Sequence, residues 1–173
     1  MKNILIVTSA VILVAACAGP AAQDSVLYKG KALKGVEVVV DAASVPGHDG
    51  MTLRNIGFVN TTGKDVLVDA METSAITIEG EDVWSLQPSS TAERKDWVLP
   101  VTKGFYQKNY LGMNDSDYGG GIPMVSLWTA DKNISVGLAE PCLETVNFPV
   151  KRKGNTSSAS ILLELGAPVV LLT

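Results

Sequence analysis

The sequence is poor in the residues on which most enzyme chemistry depends. It holds one histidine and two cysteines in 173 residues, with 6% aromatic and 18% charged. His48, the single histidine, would have to serve any Ser-His-Asp or Cys-His site, yet it lies in Pro46-Gly47-His48-Asp49-Gly50, the composition of a surface turn rather than a shaped cleft. Cys/His pairs at zinc spacing, a Walker loop and a GxGxxG run are all missing. That removes the common metal, nucleotide and dinucleotide signatures, and neither a metal nor a cofactor is expected. Positive charge is scarce too, the formal net charge being -4. The one basic cluster, Lys151, Arg152 and Lys153, stands just before Gly154 and reads as a solvated turn, so nucleic acid is not expected as a partner.

Long apolar runs are lacking as well. Ile4 to Val14 is almost entirely apolar, but its about 11 residues suit a signal-peptide h-region, not a membrane span of ~20. Lys2 precedes it, and Val14-Ala15-Ala16-Cys17 follows with the small residues of a bacterial lipobox, in which the cysteine sulfur carries the lipid. The expected organisation is a lipoprotein signal peptide over 1–16, a flexible tether over 17–30 and a β-sandwich domain over 31–173. An ordinary secretory signal with an incidental Cys17 is the other reading of the same residues. The lipoprotein reading implies export to the periplasm or outer membrane and a lipid anchor as the membrane contact. Lipidation uses Cys17, so Cys142 has no partner for a disulfide and is expected as a buried structural cysteine.

Helical periodicity is also missing. Short β-branched runs recur between turn residues: Val36–Asp41, Leu53–Asn60, Val66–Glu72, Ala75–Ile78, Val83–Leu86, Trp97–Val101, Met124–Thr129, Ile134–Glu140, Thr145–Val150 and Ala159–Leu165. Strands at this spacing predict an all-β fold of packed antiparallel sheets, a sandwich. Thr61–Asp65 and Ala130–Asn133 read as hairpin loops. Trp84 and Trp97 fall in expected strands and read as core or domain-interface aromatics rather than sugar platforms. The chain ends within the apolar run Ile161–Thr173, which is expected of a sandwich truncated before a following domain.

What the sequence does have is one dense polar and aromatic stretch, residues 104–123. Gly119, Gly120 and Gly121 permit close backbone approach, Asp115 and Asp117 offer acceptors for hydroxyls, and Tyr118 can stack on a sugar's C–H face. The same composition also serves a long inter-strand loop. Asp115 and Asp117 sit in one flexible loop, which is a poor frame for paired catalytic carboxylates.

The run Asn109-Tyr110-Leu111-Gly112-Met113-Asn114-Asp115-Ser116-Asp117-Tyr118-Gly119-Gly120-Gly121-Ile122-Pro123, continued by Val125-Ser126-Leu127-Trp128, Ile134–Glu140 and Val146-Asn147-Phe148-Pro149-Val150, resembles the amino-terminal β-supersandwich of bacterial α-galactosidases of glycoside hydrolase family thirty-six, melibiase-like enzymes. The resemblance is most specific over 104–153, about a third of the chain. It implies a domain that packs on a catalytic (β/α)₈ barrel and brings a loop toward its active-site mouth. A barrel needs ~250 residues, so none fits here, and no residue of this chain inherits the catalytic roles. The resemblance therefore implies an inactive supporting domain, with the barrel domain or a partner chain and α-galactoside glycans as its partners. It also makes Asp115, Asp117, Tyr118, Gly119, Gly120, Gly121 and Trp128 the carbohydrate- or barrel-facing positions. A self-standing carbohydrate- or protein-binding lipoprotein domain is the alternative of a different class.

Overall fold

The computed structural model describes residues 4–12, 25–87, 97–107, 124–139 and 145–172. These form fourteen strands and no helix: β1 Ile4–Ile12, β2 Ser25–Tyr28, β3 Lys31–Ala32, β4 Val36–Ser44, β5 Thr52–Asn60, β6 Val66–Glu79, β7 Trp84–Leu86, β8 Val98–Pro100, β9 Tyr106–Gln107, β10 Met124–Trp128, β11 Asn133–Gly137, β12 Thr145–Asn147, β13 Val150–Lys153 and β14 Thr156–Leu171. Every described pairing is antiparallel. The all-β antiparallel class read from the sequence is the class of the structure.

The largest sheet runs β3-β2-β6-β14-β13-β9, with β12 also on β14. The four-stranded sheet runs β11-β10-β7-β8, and a three-stranded sheet runs β1-β5-β4. Alternation along each strand builds the core between them. Val125 and Leu127 of β10 and Ile134 and Val136 of β11 are buried with Ile76 and Ile78 of β6 and Ala159, Ile161 and Leu163 of β14. Ile56 and Phe58 of β5 bring the three-stranded sheet into the same cluster. Phe148, Val150 and Val101 complete it.

Several expectations need correction. Thr61–Asp65 is not a hairpin loop, because β5 pairs with β4 and β1 while β6 pairs with β14 and β2. The segment instead carries the chain from one sheet to another. Asn60 organises the crossing, donating from Nδ2 to the Lys64 carbonyl at 2.8 Å and the Leu171 carbonyl at 3.0 Å, and accepting at Oδ1 from the Thr62 amide at 3.0 Å. The two strands expected over Val66–Glu72 and Ala75–Ile78 are one strand, β6. An extra residue, Ala75, lies between the pairs Ser160 with Ser74 and Ala159 with Ile76, so the inward phase shifts from Thr73 to Ile76 and Ile78. The last strand also runs on past Leu165. Four residues, Leu165 to Pro168, stand opposite the single Asp69, and pairing resumes at Val169 with Val68. Pro168 has no amide to give a ladder, so a bulge is where it belongs.

The basic cluster is not a solvated turn. Lys151, Arg152 and Lys153 belong to β13, and the turn follows at Gly154-Asn155. Lys151 Nζ stands 3.7 Å from Glu72 Oε1, and Arg152 is half-buried in a network of main-chain oxygens described below. The Ala130–Asn133 hairpin is present as expected, with Met124 to Trp128 registered on Gly137 to Asn133. His48 is exposed in the turn that closes the β4–β5 hairpin, where its amide donates to the Val45 carbonyl.

Candidate functional site

The four-stranded sheet has its inner face on the core and its outer face toward solvent, and the two faces are unusual in chemistry. On β7 the residues pointing inward are polar: Ser85 is fully buried, and so is Gln87 just beyond the strand. Ser85 Oγ donates to the Leu99 carbonyl at 3.2 Å, and Gln87 Nε2 donates to Ser85 Oγ. These bonds offset the cost of burying the two side chains. The outward residues of the same strand are Trp84 and Leu86. The strand thus runs polar inside and apolar outside, the reverse of an ordinary half-buried strand.

Register then assembles an apolar and aromatic row. Trp84 lies opposite Pro100 on one side and Trp128 on the other, and Trp128 lies opposite Asn133. Residues directly opposite share a face, so the two indoles stand beside each other on the solvent side. Trp84 is 42% exposed and Trp97, which enters β8, is 44% exposed. Neither is a core aromatic, so of the two roles expected for them the core one is excluded, while the domain-interface one is compatible with this exposure. The next outward row is Val98, Leu86, Ser126 and Ser135, in which the two serine hydroxyls lie 2.7 Å apart.

The second row, with Trp128 and Asn133 of the first, lines a shallow depression of about 640 Å³. Its floor is Leu86, Val98, Ser126 and Ser135, and one wall is Trp128 with the β10–β11 turn. The turn is closed by the Thr129 amide on the Lys132 carbonyl at 2.9 Å. Its two charged residues, Asp131 and Lys132, are opposite in sign and adjacent.

Arg152 holds the frame of this sheet from the neighbouring one. Its Nη1 donates to the carbonyls of Val101 at 2.7 Å and Glu81 at 2.8 Å, and its Nη2 to Gly80 at 2.9 Å. Those carbonyls lie just before β7 and just after β8, the two strands that carry Trp84 and Val98. Gly80 is also pressed on the depression's wall, since a Cβ there would come 2.8 Å from Thr129 Cγ2.

Of the residues singled out from the sequence, Trp128 is where the site is. Asp115, Asp117, Tyr118, Gly119, Gly120, Gly121, Cys17 and Cys142 lie outside the described residues. Met124, which follows the glycine-rich segment, stands at the far end of β10 from Trp128. Sequence reasoning missed Trp84, Ser126, Ser135 and Asn133. The alternation of Met124-Val125-Ser126-Leu127-Trp128 was the available signal, because it puts Ser126 and Trp128 on one face. Among the described residues no group of three or more His, Cys, Asp or Glu side chains is placed to hold a metal ion.

No protein-family model and no curated protein matches this chain.

Proposed function

We propose that this chain is a non-catalytic glycan-binding β-domain whose binding surface is the outer face of the β11-β10-β7-β8 sheet. The observation that carries the reading is the Trp84–Trp128 pair, two neighbouring indoles on a solvent-facing sheet. A sugar ring presents C–H faces to an aromatic plane and hydroxyls at its edge. Here Trp128 and the hydroxyl partners Ser126, Ser135 and Asn133 occupy one depression, with Trp84 the cross-strand neighbour of Trp128. Leaving Trp84 exposed beside a half-buried Trp128 otherwise wastes apolar area that a core would use. The lipobox at Cys17 supports an exported, lipid-anchored setting, periplasmic or outer-membrane, in which a glycan would be met.

The test is affinity electrophoresis and calorimetry of the purified chain against a panel of neutral polysaccharides, including galactomannan as the α-galactoside arm. Retardation by at least one of them, reduced in Trp128→Ala, is expected. Absence of binding across the panel overturns the reading.

A second reading, in which the domain packs on the barrel of an α-galactosidase-like hydrolase, has its own support. Leu67 of β6 and Val170 of β14 are cross-strand partners and both are exposed, at 42% and 51%, with Leu172 exposed beside them. That apolar strip is the kind of surface another domain covers. Under this reading the purified chain does not hydrolyse a chromogenic α-galactoside, but recovers that activity from a native extract. Loss of the recovered activity in Leu67→Lys/Val170→Lys supports it, and an extract yielding no activity sinks it.

A further inference from the structure

We infer that the tryptophan face selects an extended, uncharged glycan chain lying across the strands, rather than a single terminal sugar. This deepens the glycan-binding reading and rests on it. Pro100, Trp84, Trp128 and Asn133 form one continuous row over β8, β7, β10 and β11. Adjacent strands lie about 4.8 Å apart, so the row spans about 14 Å. One pyranose ring in an extended chain is close to one inter-strand step in length. Trp84 and Trp128 therefore meet successive rings, with Pro100 and Asn133 available to the rings beyond them. A lone sugar engages one indole and leaves the other in water.

The second row has the same direction and a graded chemistry. Val98 and Leu86 lie beside the Pro100–Trp84 half, and the hydroxyls of Ser126 and Ser135 beside the Trp128–Asn133 half. The serine pair uses one hydrogen between its two oxygens, which leaves one hydroxyl hydrogen and several lone pairs for a ligand. One end of the row thus accepts an apolar ring face and the other reads hydroxyls, which orients a chain rather than merely attracting it. The charged residues lining the depression are Asp131 and Lys132, and their charges cancel. An anionic or cationic polymer gains nothing there over a neutral one.

The experiment uses the full chain and a ladder of neutral β-linked gluco-oligosaccharides from one to six residues. Oligogalacturonate and chitosan ladders of the same lengths are the charged arms, and binding is read by calorimetry. Affinity is expected to climb from one residue to about four and then level off, the row spanning about three inter-strand steps. It should do so for the neutral ladder above both charged ones. Trp84→Ala is expected to weaken the tetramer about tenfold and the monomer little, flattening the climb, since one aromatic contact of this kind supplies up to about a factor of ten. Trp84→Phe should restore most of it. Trp84 is 42% exposed, so its replacement should lower the thermal midpoint only modestly and leave the chain folded at the assay temperature, and that measurement accompanies each variant. Equal affinity for monomer and tetramer, or preference for a charged ladder, overturns this inference while the glycan-binding reading stands. No binding to any ladder or to the polysaccharide panel overturns both.

Discussion

Arg152 donates from Nη1 to the main-chain oxygen of Val101 at 2.7 Å, tying β13 of the large sheet to the end of β8 in the four-stranded sheet. The same guanidinium reaches Glu81 and Gly80, so one planar cation collects the carbonyls where the chain enters β7 and leaves β8, at one end of that antiparallel pair. Hydrogen bonds from a charged donor are worth about 1.5–3 kcal/mol, and this group makes several in a half-buried setting. Arg152→Met keeps the stem and removes the donors. It is expected to lower unfolding stability by about 2 kcal/mol in urea titrations. Arg152→Lys is expected to recover less than half of that, because an ammonium is a compact charge and cannot span the three carbonyls as the fork does. An unchanged midpoint for Arg152→Met would show that water serves these carbonyls equally well.

Asn60 supplies the second tie between sheets. It receives the Thr62 hydroxyl at 2.7 Å on the oxygen that also takes the Thr62 amide, while its amide nitrogen holds Lys64 and Leu171. Asn60→Asp keeps the acceptor and turns the donor into an oxygen facing two carbonyls. It should therefore cost more than Asn60→Ala, whose loss is about 1–3 kcal/mol. The order of the two midpoints in denaturant is the check, and an Asp variant as stable as wild type would remove Asn60 from this role.

Thr73 is a place where the fold is less than optimal. It is buried in β6, and its hydroxyl has no hydrogen-bond partner among the described residues. Thr73→Val replaces that hydroxyl with a methyl of nearly the same shape and removes the desolvation cost. It is expected to stabilise the chain by about 1 kcal/mol. Thermal unfolding reads this directly, and a lower melting temperature would mean that the hydroxyl is served by water or by a residue of another segment.

How much of this was legible in sequence divides by what each signal can specify. Alternation gave the strands of the four-stranded sheet and the Ala130–Asn133 hairpin, since a short polar loop between two alternating runs leaves little other choice. At Thr61–Asp65 the same signal misled, because turn residues specify that the chain reverses and not which strand it meets next. The polar pair Thr73-Ser74 looked like a break, although a one-residue bulge carries β6 through it. Gly166-Ala167-Pro168 hid the end of β14 in the same way. Trp84, in an expected strand, reads as a core or domain-interface aromatic. Its exposure depends on Ser85 and Gln87 satisfying one another inside, which only the packed structure displays. The glycine-rich segment that dominated the sequence reading is not among the described residues, and the site rests on Trp128 and its cross-strand partners instead.

Gly80 couples the Arg152 network to the binding surface. A Cβ there would meet Thr129 Cγ2 at 2.8 Å, and Thr129 opens the turn whose residues wall the depression. Thr129 can rotate or shift by a few tenths of an ångström, so Gly80→Ala is expected to fold. The displacement should show as amide shift changes at Thr129, Lys132 and Asn133 in a heteronuclear NMR spectrum, with several-fold weaker glycan binding. Unmoved resonances at those three positions would break the proposed link between the β6–β7 turn and the site.

The strand β1 lies within the segment proposed as a signal h-region. It pairs along one side of β5, from Ile4 on Val59 to Ile12 on Thr52, while β4 holds the other side. Cleavage before a lipidated Cys17 would remove this strand and leave β5 as an edge, with alternate amides losing their partners. Cys17→Ser is expected to abolish incorporation of labelled palmitate in cells and to retain the unprocessed chain. Comparing hydrogen exchange in the full chain and in a form beginning at Cys17 should show faster exchange at alternate amides of Thr52–Val59, with the β4-facing amides little changed. Palmitate labelling that survives in Cys17→Ser would overturn the lipoprotein reading. Identical β5 protection in the two forms would show that another segment takes the place of β1.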